Sequence, residues 1–198
     1  MGRAQKLAGK VNEAAANDST RARQGQRRIN DSIMGVLAEE GWLQFINLKF
    51  GQIASYTEFI DPNSQIDIKL LHGHLIEIRS SYVRNGVKFA MCSDRYNFKN
   101  IGPYSNSIKP GEIQKHLYLA ALFEIPKSEL LTADPLIFYL VGGSTWSMMA
   151  KIGYDDPLRP YDDLVPIQST YKVIQLKNAL DVLKVLDEIQ KLGYALIA

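Results

Sequence analysis

Residues 66–80 read Ile-Asp-Ile-Lys-Leu-Leu-His-Gly-His-Leu-Ile-Glu-Ile-Arg-Ser, and the order of apolar and charged side chains in this stretch decides the fold. Two β-branched runs flank His72-Gly73-His74, where the glycine permits a tight turn. Successive side chains of a strand face opposite sides, so Ile76 and Ile78 take one face while Glu77 and Arg79 share the other, about 7 Å apart. Ile66-Asp67-Ile68 repeats the apolar-charged-apolar pattern on the preceding strand. If the turn pairs the strands antiparallel, Asp67 can approach Glu77, although sequence leaves the register open. Two carboxylates meeting in an apolar setting repel, and a divalent cation between them makes the arrangement favourable. Mg²⁺ suits such a place, since it takes one or two carboxylates plus water and phosphate oxygens. The competing reading is a half-exposed hairpin whose polar residues face water.

Upstream of the hairpin, Ile29, Ile33, Val36 and Leu37 recur at helical spacing from about Arg21 to Glu40, and Gly41 reads as a stop. Glu40 falls within that stripe at 100° per residue, as a metal ligand or as a helix-end acid reaching water. The runs 43–50 and 53–60 read as strands and Asp61-Pro62-Asn63-Ser64 as a turn. Downstream, the Asn85-Gly86 pair predicts a second hairpin, leading into a strand over 87–92. Residues 97–110 read as a loop, and Pro110 introduces a predicted helix over 111–123. Residues 135–141 form a short apolar run typical of a buried strand, with 148–152 as its antiparallel neighbour. The stretch 155–166 reads as a loop, 171–176 as a strand and 177–192 as a helix closed by Gly193. The sum is an α/β (mixed α+β) fold, one central mixed sheet flanked by helices.

The chain has 198 residues with 46% hydrophobic and 22% charged side chains, which suits a single globular domain over 21–198 behind a flexible basic arm over 1–20. A lone cysteine, Cys92, excludes an internal disulfide framework and fits a cytoplasmic location. No apolar run approaches the roughly 20 residues of a membrane span, so no membrane partner is expected. Net charge is +2, yet the residues up to Arg28 carry +5 and the remainder about −3. A basic arm ahead of an acidic body suits contact with phosphates. Walker, GxGxxG, GxSxG, HExxH and CxxC motifs are absent, which removes the usual nucleotide, serine-hydrolase and zinc readings. His72 and His74 have only Cys92 and His116 as further zinc-type ligands, so they read as a polar turn.

An acid after a turn, a gap of about ten residues and then Glu-x-basic in an apolar strand, preceded by an amphipathic helix and followed by another, resembles the PD-(D/E)xK nuclease superfamily. Asp67 matches its first acid and Glu77-Ile78-Arg79 its acid-x-basic element; Glu40 stands where many members carry an additional acid. Gln114 to Tyr118 has the QxxxY spacing of RecB-type members, which would put both residues on one helix face. The resemblance implies the restriction-endonuclease-like fold and a Mg²⁺-dependent endodeoxyribonuclease, with Mn²⁺ as a substitute. It implies metal ligation by Asp67, Glu77, the Ile78 carbonyl and Glu40, with Gln114 and Tyr118 positioning DNA or water. Arg79 departs from the usual Lys; Arg supplies charge but cannot serve as a base. Lys69, on the same strand as Asp67, is the expected substitute. Arg84, Lys88, Arg95, Lys99 and Lys109, interleaved with aromatics, are the expected phosphate contacts. DNA is the implied partner, and cutting both strands implies a homodimer. The alternative is a catalytically impaired relative that binds DNA or a protein.

Overall fold

A computed structural model of the chain describes residues 25–58, 66–82, 99–105, 112–156 and 170–197. The basic arm, the turn at 61–64, the second hairpin and the strand over 87–92 lie outside them.

Helix α1 spans Gly25–Phe50 and so runs through Gly41, and the strand expected over 43–50 is its second half. Met34, Ala38, Trp42, Ile46 and Phe50 recur every fourth residue and are all buried, so the stripe facing the sheet continues past the glycine. Gly41 is a packing position: a Cβ there would stand 2.7 Å from the Phe138 ring. The helix ends before Gly51, whose φ of 78° suits a residue without a side chain. The Trp42 indole N–H donates to the Ala120 carbonyl at 3.0 Å, tying helix to sheet. Asn47 then fixes the chain's exit, donating to the Ala54 carbonyl at 3.0 Å and accepting from the Ala54 N–H at 2.8 Å.

Strands β1 (Ala54–Tyr56), β2 (Ile68–Leu70), β3 (Leu75–Tyr82), β5 (Leu117–Phe123) and β6 (Phe138–Thr145) form one sheet in the order β1-β2-β3-β5-β6. Neighbours are antiparallel except β3 and β5, which run parallel. A second sheet holds β4 (Lys99–Ser105), β8 (Thr170–Gln175) and β7 (Tyr154–Asp156), in the order β4-β8-β7. Helices α2 (Trp146–Ile152) and α3 (Val182–Lys191) complete a mixed α+β architecture with three helices among the described residues. No helix among them is long and apolar enough to cross a membrane.

Three further expectations are corrected. The helix predicted over 111–123 is extended chain followed by β5. Leu117 to Phe123 is an unbroken apolar run, the mark of a strand covered on both faces, and helical spacing within it carries no information. The loop predicted over 97–110 contains β4, whose Ile101 and Tyr104 pair with Val173 and Tyr171 of β8. Residues 148–152, expected as a strand, belong to α2, where the Thr145 hydroxyl caps the first turn by accepting from the Met148 N–H at 3.1 Å.

The main sheet separates two cores. On one face Ile68, Leu70, Ile76, Ile78, Leu117 and Leu119 pack with α1 and with Val185, Leu186 and Ile189 of α3. On the other, Tyr118 meets Met149 of α2 and Ile174 of β8. Glu77 alternates with Ile76 and Ile78 and stands beside Tyr118 in the parallel register, which turns it toward this second layer.

Candidate functional site

The β2–β3 register pairs Ile68 with Ile76 and Lys69 with Leu75. Continued by one residue, it sets Asp67 opposite Glu77. Both are buried, with 6% and 5% exposure. The Asp67 carboxylate accepts the Ile78 N–H at 2.7 Å, which draws Ile78 into the site through its main chain. Burial above all, then the charges of Glu77 and Glu39, hold the Asp67 carboxyl well above the ordinary carboxylate range, against the opposing pull of the Ile78 N–H and Arg79.

Among the described residues, Arg79 and Lys115 serve Glu77 and Glu112. The Arg79 guanidinium lies 3.0 Å from Glu77 Oε1 and 3.3 Å from Glu112 Oε1. Lys115 Nζ lies 3.0 Å from Glu77 Oε2 and 3.7 Å from Glu112 Oε2. The Lys115 ammonium is fully buried, whereas the Arg79 side chain is 27% exposed, so arginine stands at the mouth of the cluster and lysine at its base. Glu77 Oε2 and Lys115 Nζ meet without hydrogen-bond alignment, but attraction between opposite charges needs no such direction and the ion pair stands. The guanidinium carbon also sits 5.4 Å from the centre of the Tyr104 ring, whose own centre is 5.3 Å from that of Tyr171. Burial opposes the charge of Arg79, yet Glu77 and Glu112 outweigh it and raise its pKa further.

Lys69 does not join this group. It is exposed on β2, in register with Ser55 and Leu75, while the buried ammonium beside Glu77 belongs to Lys115. Glu40 is replaced in the same way: Glu39 is 5% exposed and acts on Asp67, whereas Glu40 contacts the Tyr56 hydroxyl and accepts from Gln44 at 2.7 Å. The cause is the length of α1, because Trp42, Ile46 and Phe50 rotate the buried stripe toward position 39. Gln114 and Tyr118 are separated by the change from extended chain to strand, with Gln114 exposed and Tyr118 buried. The Tyr118 oxygen accepts the Lys115 N–H at 3.2 Å, and burial pushes the phenol up to about 12. Lys99 pairs with Asp156 and lies over the Tyr154 ring at 5.9 Å. Arg84, Lys88, Arg95 and Lys109 fall outside the described residues.

Glu39, Glu112 and Lys115 were not identified from sequence. A signal was present for the last two: an acid and a lysine three residues apart, directly before the most apolar strand, have no solvent to face once that strand is central.

Among the described residues, no three His, Cys, Asp or Glu side chains are gathered to hold a metal ion as they stand. Comparison with protein-family models, curated proteins and solved structures finds no match to this chain.

Proposed function

We propose that the chain is a Mg²⁺-dependent endodeoxyribonuclease of the PD-(D/E)xK type with a restriction-endonuclease-like core. The observation that carries this reading is the opposition of buried Asp67 and Glu77, whose repulsion contributes to raising the Asp67 carboxyl. The donor set fits a divalent cation. Mg²⁺ takes carboxylate and carbonyl oxygens, and among the described residues Glu39, Asp67, Glu77 and Glu112 bring carboxylates together around Arg79 and Lys115. Asp67, Glu77 and the Ile78 carbonyl would hold the ion, with Glu39 taking the place expected of Glu40. Bound there, Mg²⁺ would lower the pKa of a water and offset charge on a phosphodiester. Arg79, partly exposed at the mouth, would meet the scissile phosphate. Lys115 supplies the ammonium that the resemblance places at position 79, and it holds Glu77 from the interior side. The QxxxY pair plays no part in this reading. DNA is the proposed substrate, and cleavage of both strands would require a homodimer.

One observation favours a second reading. Both oxygens of Glu77 already face cations, as they would in a catalytically impaired relative that only binds DNA or a protein. Incubation with supercoiled plasmid in Mg²⁺, Mn²⁺ or EDTA separates the two. Metal-dependent nicking that disappears in Asp67→Ala and Glu77→Ala is expected. Nicking that survives both substitutions sinks the site, and DNA retention in a mobility shift without nicking supports the binding-only protein.

A further inference from the structure

We propose that His72, His74 and His116 form an acid-released latch that holds the segment 193–197 against the main sheet through Tyr194. These are all the histidines of the chain, and the fold gathers them from the β2–β3 turn and the residue preceding β5. The His74 ring stands edge-on to His116 with centres 4.8 Å apart, and edge-on to Tyr194 at 5.7 Å. His72 stacks on Tyr194 at 5.0 Å. Tyr194 is only 5% exposed, although residues 195–197 beyond it are open to solvent.

Proton positions make the cluster directional. The Tyr194 oxygen accepts the main-chain N–H of His72 at 2.9 Å and lies 3.1 Å from His74 Nδ1. The hydroxyl keeps a hydrogen to donate, and in the proposed latch a neutral His74 Nδ1 receives it. On the far side, His116 Nδ1 accepts the Leu75 N–H at 3.0 Å, which places that ring's hydrogen on Nε2. The Nδ1 lone pair of His116 is thus engaged and its Nε2 carries hydrogen, an arrangement suited to a hydrogen-bonded lock and not to metal ligation.

A proton added to His74 Nδ1 turns two complementary groups into two facing donors. It also places a charge beside two other imidazoles. Among the described residues, the titratable groups that face His74 are His72, His116 and Tyr194, from the turn, the approach to β5 and the 193–197 segment. Burial first, then His116 and His72, lowers the His74 pKa below its ordinary 6.5. The latched form therefore binds fewer protons than the released form. Its stability is fully present above 6.5 and is lost as pH falls through the lowered His74 value. The segment's other tie is the Ile197 N–H donated to the Lys49 carbonyl at 2.8 Å, and Gly193, at φ 95°, marks where it leaves α3. Release would uncover Tyr194 and the last turn of α1.

Hydrogen exchange read by mass spectrometry on the full chain tests the latch. Between about pH 7.5 and about pH 5.5, exchange over 193–197, corrected for intrinsic chemistry, is expected to quicken at least about threefold. His74→Gln keeps a side-chain acceptor but cannot titrate, and it should abolish that change. Equal protection at both pH values, or a His74→Gln protein that responds as the parent does, overturns the proposal. Should the variant fail to fold, NMR on the unsubstituted protein decides. The Tyr194 ring signals must move with the His74 titration, and movement at another pH refutes the latch.

Discussion

Replacing Lys115 with methionine would keep the apolar stem and delete only the charge. The ammonium has no exposure and sits 3.0 Å from Glu77 and 3.7 Å from Glu112, so its loss takes an opposite charge from two interior carboxylates that Arg79 also serves. Breaking a buried pair by removing one partner costs about 3–5 kcal/mol. Arg79 still serves Glu77 and Glu112, which places this case near the lower end, about 3 kcal/mol. For a chain of this size each kcal/mol lowers the melting temperature by roughly 2–4 °C, so a drop of about 6–12 °C is expected. Urea denaturation at neutral pH measures the free energy directly. The decisive step is a double-mutant cycle with Glu77→Gln, which removes the orphaned charge. The two substitutions should be non-additive by about 1–3 kcal/mol, the double variant recovering part of what Lys115→Met alone loses. Simple additivity, or a Lys115→Met protein that unfolds with the parent, would refute the ion-pair account and with it the role given to Lys115.

Asp67→Asn should melt above the parent in EDTA at neutral pH, because asparagine carries no charge to desolvate beside Glu77 and Glu39. A carboxyl raised in the folded state stabilises most below its unfolded value near 3.8, and that contribution fades as pH rises through the folded value. The advantage of Asn over Asp should therefore shrink on acidification, and calorimetry across pH checks this. Gly142→Ala should cost about 3 kcal/mol, since a Cβ there meets the Leu180 carbonyl oxygen at 1.9 Å on top of a φ of 87°. Gly73→Ala has the same φ of 87° with nothing within 4 Å and should cost only about 1 kcal/mol, measurable in the same urea titrations.

Periodicity made some elements legible and misled at others for identifiable reasons. The hairpin around Gly73 appears as expected because alternation and a turn glycine are local properties. Helix α3 was readable from Leu186 and Ile189, although it begins only at its cap, where Asp181 accepts the Lys184 N–H at 2.9 Å. Gly41 looked like a stop because a glycine's role as a contact with Phe138 depends on β6, nearly a hundred residues away. Leu117 to Phe123 looked helical because a fully covered strand shows no alternation to read.

By itself the sequence determined a hairpin about Gly73 with Asp67 ahead of the turn and Glu77 after it, and a shared face for Glu77 and Arg79, since these follow from side-chain alternation and a turn glycine within a few residues. It also determined the mixed α+β class, from the order of periodic segments. Only the tertiary structure decided the register that sets Asp67 against Glu77, the choice of Glu39 over Glu40, and the arrival of Lys115 beneath Glu77. The physical reason is shared by all three. Each depends on where a distant element comes to rest, and burial there, which costs an isolated charge dearly, dictates which side chains must meet.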